Sequence, residues 1–303
     1  GDSSLNQCDI PEDLNPQLFF DSNFPPGQQS QRISLGLNHG MAIAPDTLSI
    51  AGEFSVFSPD RLFLWGDNSF EQTNMPDLPD TVSITKIVSG NNHNLILAED
   101  ITLQEGDSVS FYVLENRRLV AWGDNTYGQC DIPDMFNPIA DSISIIKIDA
   151  GANHNVVLYD SSGVIKIASW GDNTYGQSDI SIDYNVDENE KILDIFCGYN
   201  HNVVLTFDDQ LDFYPELLEG AMIDELVNIF PVDQNDYYYY YYYYGESLLP
   251  TAYPLTIHAW GDNTYGQIDI PELNGIYERL SVGGYHNIFV VSENFLTNYG
   301  PGY

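Results

Sequence analysis

Apolar residues in this chain fall in short runs separated by turn-forming residues, and no long, capped helical period runs through it. One stretch shows the pattern well. Ile84 to Ser89, His93 to Ala98, Phe111 to Glu115 and Leu119 to Trp122 each read as a strand. They are rich in the Val, Ile, Leu and aromatic side chains that suit a pleated, half-buried surface. Between such runs stand Gly-Asp-Asn and Tyr-Gly-Gln, whose Asp and Asn bond nearby backbone and whose Gly accepts positive φ. The exception is Glu216 to Val227, where apolar residues at roughly helical spacing predict a short helix.

The strands belong to a repeat. Trp65 through Gln72 reads Trp-Gly-Asp-Asn-Ser-Phe-Glu-Gln, and Trp122 through Gln129 reads Trp-Gly-Asp-Asn-Thr-Tyr-Gly-Gln. Trp170 through Gln177 and Trp260 through Gln267 repeat the second form. A second phrase, Gly-x-x-His, alternates with the first at Gly36–His39, Gly90–His93, Gly151–His154, Gly198–His201 and Gly283–His286. Five of the six histidines are thereby placed, and only His258 lies outside. The stretch from each Trp to the next His is nearly constant, which marks the packed part of a unit. The stretch from each His to the next Trp varies, shortest from His154 to Trp170 and longest from His201 to Trp260. Variable stretches mark surface loops, where insertion costs little.

The alternating phrases, repeated over nearly the whole chain, resemble the repeat of the regulator-of-chromosome-condensation family. The pattern stands nearer to bacterial and viral members than to the nuclear exchange factor. The resemblance implies an all-β fold, a β-propeller of about five blades or part of a seven-bladed one, in which radial repetition protects sheet edges. On this reading residues 1–303 form one propeller domain, and residues 207–256 are an insertion in the fourth repeat. The termini fit the same grid. Gly1 to Pro11 aligns with Gly123 to Pro133, so the chain begins one residue after the place of a Trp, and Asn298-Tyr299-Gly300 stands where Ala-Trp-Gly belongs. The ring is expected to close by pairing Leu296 to Gly300 with a strand near Gly1 to Gln7. A start at Gly1, with neither initiator Met nor signal peptide, reads as a processed product or a fragment.

Charge narrows the partners. Nine Lys and Arg face 45 Asp and Glu, a formal net charge of −36. Binding to phosphate backbones needs clustered Lys and Arg, so nucleic acid and anionic membrane surfaces are excluded as partners. A negative field of this size attracts basic proteins and binds divalent cations weakly; it also keeps a protein soluble in a salty or crowded exterior. No apolar run approaches the ~20 residues of a membrane span, so no membrane insertion is expected. Cys8, Cys130 and Cys197 make neither a disulfide scaffold nor a Cys-x-x-Cys metal site. They are expected as thiols, with one bridge at most. No Asn-x-Ser/Thr acceptor occurs, which disfavours a glycosylated eukaryotic secretory protein and leaves a bacterial or viral exterior open.

Recurrence also governs the candidate chemistry. Trp65, Trp122, Trp170 and Trp260 could line a ligand ring. A residue present in every unit serves what every unit does, so each is assigned to packing between blades. The repeated histidines could be metal ligands, but equivalent residues of a ring are spread out, while ligands must converge within about 2.0–2.3 Å of one ion. Each is expected to bond backbone of the next strand. Asp67, Asp124, Asp172 and Asp262 are read as turn formers, since their spacing matches no calcium loop. No metal site and no cofactor are assigned. There is no Gly-x-Ser-x-Gly, His-Glu-x-x-His or Walker-type loop, and nothing singles out a carboxylate pair. The chain is therefore expected not to be an enzyme.

The candidate binding residues are Tyr237, Tyr238, Tyr239, Tyr240, Tyr241, Tyr242, Tyr243 and Tyr244. A strand there would show tyrosine on both faces, one for the blade and one for another protein surface. The alternative is a low-complexity expansion in a loop. Three functions fit. The first is a non-catalytic structural or adhesion module on a cell or virion surface, or otherwise extracellular, working through a protein partner or self-association. The second is a specific protein binder using loops on one face, as an inhibitor or exchange factor of the family does. The third and weakest is a carboxylate-based hydrolase or lyase.

Overall fold

The computed structural model describes residues 4–11, 14, 32–45, 60–79, 82–104, 111–180, 190–208, 255–271 and 276–292. The chain divides into two compact units, Gly1–Ile180 and Ser181–Tyr303. The expected helix at 216–227, the run Tyr237 to Tyr244, most of the insertion and the C-terminal closing strand lie outside the described residues.

All described regular structure is β, in repeated antiparallel sheets of the kind that make propeller blades. In the first unit, β1 (Ile33–Leu35), β2 (His39–Pro45) and β3 (Asp60–Gly66) form one sheet. The second sheet holds β4 (Val82–Ser89), β5 (His93–Gln104) and β6 (Phe111–Gly123). The third holds β7 (Ile143–Ala150), β8 (His154–Ser161) and β9 (Val164–Gly171). The second unit carries a sheet of β10 (Glu190–Cys197), β11 (His201–Asp208) and β12 (Leu255–Gly261), and a described pair, β13 (Ile276–Val282) with β14 (Asn287–Ser292). Phe207 pairs with Leu255, so the edges of the long 207–256 stretch still belong to the blade.

The three-strand sheets correct the expectation of four short strands. Phe111 to Glu115 and Leu119 to Trp122 run on as the single strand β6. Asn116 takes a positive φ of 49°, and the register with β5 shifts between Ala98 and Asp100. The polar Asn-Arg-Arg segment is thus absorbed as a bulge instead of a turn. A second bulge recurs on the first strand of four repeats, between Ile84 and Lys86, Ile145 and Lys147, Ile192 and Asp194, and Tyr277 and Arg279.

Burial on both faces of the middle strand explains the apolar pattern. In β5, Ile96 and Ala98 face the first sheet and pack with Met41, Ile43, Leu62, Ile84 and Ile87. Their neighbours Leu95 and Leu97 face the third sheet and pack with Ile145, Ile148, Val157, Phe136 and Trp170. Side chains alternate across a strand, so one strand serves two interfaces and reads as a continuous apolar run instead of an alternating one.

Candidate binding face

Register puts both recurring phrases at one end of every three-strand blade. The His that opens the middle strand pairs with the Gly of Trp-Gly-Asp-Asn: His39 with Gly66, His93 with Gly123, His154 with Gly171 and His201 with Gly261. The turn before the His and the loop after the Trp therefore lie side by side.

Within this end a hydrogen-bonded relay joins successive blades. His93 Nε2 lies 2.9 Å from Oδ1 of Asn155, on the next blade. Asn155 Nδ2 donates to the Gln129 carbonyl at 2.7 Å, and Trp170 Nε1 donates to the same carbonyl at 3.1 Å. Because the amide nitrogen is committed to Gln129, Oδ1 must accept, and His93 carries its proton on Nε2. The preceding copy runs His39 to Asn94 at 2.9 Å, with Asn94 and Trp122 both donating to Gln72 O. In the second unit, His201 lies 2.9 Å from Asn287 Oδ1, and Asn287 donates to Gln267 O. The expected partner, strand backbone, is thus corrected to the side-chain amide of the next blade. Backbone bonds between successive turns run alongside, from Leu37 N to Asn91 O, from Asn91 N to Ala152 O and from Tyr199 N to Gly284 O.

The glycines of Gly-x-x-His are steric requirements. A Cβ on Gly90 would stand 2.1 Å from His93 Cε1 and 2.7 Å from Gly151 O. The ring lies flat on the turn, and only a residue without a side chain lets the next turn approach. Burial holds the histidines neutral: the pKa values of His39 and His201 are lowered, and that of His93 falls to about 4.

The polar oxygens of the loop brace the loop itself. Asp124 Oδ1 accepts from Thr126 N and Oγ1, Asn125 Oδ1 accepts from Cys130 N, and Gln129 Oε1 accepts from Tyr127 N. The same bonds recur at Asp172, Asn173 and Gln177 and at Asp262, Asn263 and Gln267. These aspartates are therefore turn formers, as their spacing implied.

Trp65, Trp170 and Trp260 are buried and Trp122 is half-buried, each at the equivalent place in its blade, as the packing assignment requires. The three cysteines are thiols. Burial pushes the Cys130 thiol up to about 12, with Asp124 and Asp131 adding to it, so it is a poor nucleophile. Among the described residues, no group of three or more His, Cys, Asp and Glu converges on a metal-sized site.

One recurring side chain has no part in this network. The aromatic ring of the loop points to solvent: Phe70 is 45% exposed, Tyr127 50%, Tyr175 49% and Tyr265 72%. In the sequence these residues read as turn chemistry. The signal was present all the same, since an aromatic ring contributes nothing to a turn that its backbone does not already supply. In the second unit, the ring of Tyr265 meets Tyr285 edge-on at 5.4 Å, and Tyr285 stacks on Tyr199 at 5.3 Å. The candidate run Tyr237 to Tyr244 lies outside the described residues.

No family model and no curated protein matches the chain. Among solved structures, it is similar to the ectodomain of the Physcomitrella patens receptor kinase CR4, at 15% identity and a TM-score of 0.44 over 86% of this chain and 50% of that one. It thus spans half the length of that chain. Human WBSCR16 is matched at 12% identity and a TM-score of 0.32, over 86% of each chain. The C-terminal domain of gp131 from bacteriophage phiKZ is matched at 11% identity and a TM-score of 0.35, over 86% of this chain and 89% of that one.

Proposed function

We propose that this protein is a non-catalytic structural or adhesion module that works through protein–protein contacts in an extracellular, cell-surface or virion-surface setting. One observation carries the reading. The repeated His, Asn and Trp side chains hold blades together and the repeated Asp, Asn and Gln side chains brace their own loop, while the loop aromatic of each described copy is left in solvent. Aromatic residues are enriched where proteins meet, because they bring large contact area at low entropic cost. The net charge of −36 supports a soluble, exposed setting and a basic partner. The run Tyr237 to Tyr244 is part of the proposal as a second contact surface, against a partner or another copy of this chain.

The test replaces Tyr238, Tyr240, Tyr242 and Tyr244 with Ser, and in a second variant Tyr237, Tyr239, Tyr241 and Tyr243. Light scattering reads assembly and circular dichroism reads the fold. Lost assembly with an intact fold is the expected result. Unchanged assembly in both variants removes the run from the interface. Turnover of a glycoside, ester or peptide substrate, abolished by a single carboxylate substitution, would end the non-catalytic reading.

A further inference from the structure

We infer that Tyr199, Tyr265 and Tyr285 form a platform that takes an arginine or lysine side chain from a basic segment of a protein partner. The inference rests on the protein-contact reading above and names the chemistry of the partner. Three rings from three separate segments meet here. Tyr199 sits in the turn before β11, Tyr265 in the loop after β12, and Tyr285 in the turn before β14. The turns are held together by the bond from Tyr199 N to Gly284 O at 3.1 Å. That bond places Tyr285 beside Tyr199, stacked at 5.3 Å, and the Tyr265 ring closes on Tyr285 at 5.4 Å.

The platform is a local departure from the repeat. Where Tyr285 stands, the earlier copies have Asn38, Asn92, Asn153 and Asn200. Tyr199 stands in the place of Leu37, Asn91 and Ala152. Blade stacking needs neither ring, since the earlier copies close without them. The cluster is open to solvent: Tyr265 is 72% exposed and Tyr285 49%.

Charge selects the occupant. The face of a tyrosine ring is the negative pole of its quadrupole and attracts a cation. Lys191 and Arg279 are the Lys and Arg residues of this unit, one on β10 and one on β13, so acidic residues far outnumber them. The exposed Asp269 follows Tyr265 in the same loop. A guanidinium or ammonium group would meet ring faces and the field of a strongly acidic protein, to which Asp269 adds while its Oδ1 accepts from Asn263 Nδ2 at 2.8 Å. A neutral sugar would gain only the stacking.

The experiment measures fluorescence anisotropy of a labelled Gly-Arg repeat peptide against the full chain at about 0.15 M salt. The same peptide with Gln in place of Arg is the control. Wild type is expected to bind the Arg peptide and not the Gln peptide. Tyr265→Ser with Tyr285→Ser should weaken binding about tenfold, while Tyr265→Phe with Tyr285→Phe keeps it, because the ring face holds the cation. Equal affinity of the Ser variant overturns the inference and leaves only diffuse attraction to an acidic protein. Equal binding of the Gln peptide overturns it in favour of a neutral ligand. If the double variant does not fold by circular dichroism, Tyr265→Ser alone carries the test, since that ring is mostly in solvent. A failure here with assembly still lost in the Tyr237–Tyr244 variants sinks the cation platform and spares the protein-contact reading.

Discussion

Asn155→Ala removes the centre of one relay. Asn155 is fully buried, accepts from His93 Nε2 at 2.9 Å and donates to Gln129 O at 2.7 Å. Without it, the His93 N–H is left buried and unpaired, at about 1–3 kcal/mol. Gln129 O keeps the Trp170 bond at 3.1 Å, so its loss is nearer to about 1 kcal/mol. The expected cost is about 2–4 kcal/mol, read as a lower urea midpoint by circular dichroism. A double-mutant cycle with His93→Ala should show coupling of about 1 kcal/mol or more; additivity within about 0.5 kcal/mol would refute the relay. The pH dependence follows from the same bond. The folded pKa of His93, about 4, lies below the ordinary 6.5, so the unfolded chain binds more protons between those values. The stability contribution of neutral His93 is present above pH 6.5 and is lost as pH falls towards 4, by up to about 3 kcal/mol. His93→Gln should reduce this slope between neutral and mildly acid pH. An unchanged slope in that variant contradicts the assignment.

Three further outcomes are expected. Gly90→Ala forces a Cβ to 2.1 Å from His93 Cε1 and should destabilise by more than about 2 kcal/mol, whereas Gly163→Ala, with nothing within 4 Å, should suffer only from its positive φ; equal losses in urea melts would refute the steric reading. Trp170→Ala should cost about 3–5 kcal/mol, and a cost below about 1 kcal/mol would return the tryptophans to the ligand-ring reading. Cys130→Ser should fold normally, because Ser178 fills the equivalent place with its Oγ on Asp172 O at 2.9 Å, and wild-type Cys130 should resist alkylation at mildly alkaline pH while the fold is intact.

Repetition made the fold legible. The Trp of each copy could be assigned to packing because a residue present in every unit must serve stacking, and Trp170 does sit buried in one cluster with Phe136 and Ile148. The His partner was not legible. Asn94 and Asn155 follow a His in the sequence, but each bonds the His of the preceding blade, and only the stacked sheets bring those copies together. The strand count failed for a local reason. The sequence breaks between Phe111–Glu115 and Leu119–Trp122, yet a bulge at Asn116 shifts the register with β5 and lets β6 run on as one strand. The exposed aromatics were visible in every copy but were hidden by their place in a turn motif.

Recurrence and burial together separate scaffold from function in such a chain. A residue that recurs and is buried, such as His93 or Gln129, is fixed by its neighbours in the stack, and changing it costs stability. A residue that recurs and is exposed, such as Tyr127 or Tyr175, is not fixed by stacking, so the fold alone gives no reason for a ring there. A residue that breaks the repeat and is exposed, such as Tyr285, is required neither by the repeat nor by burial. Among the described residues, specificity resides in the last two classes, because variation in the first lowers a marginal stability before it can alter binding. On that ground Tyr265 and Tyr285 are the positions where substitution should change what the protein holds while leaving how it folds intact.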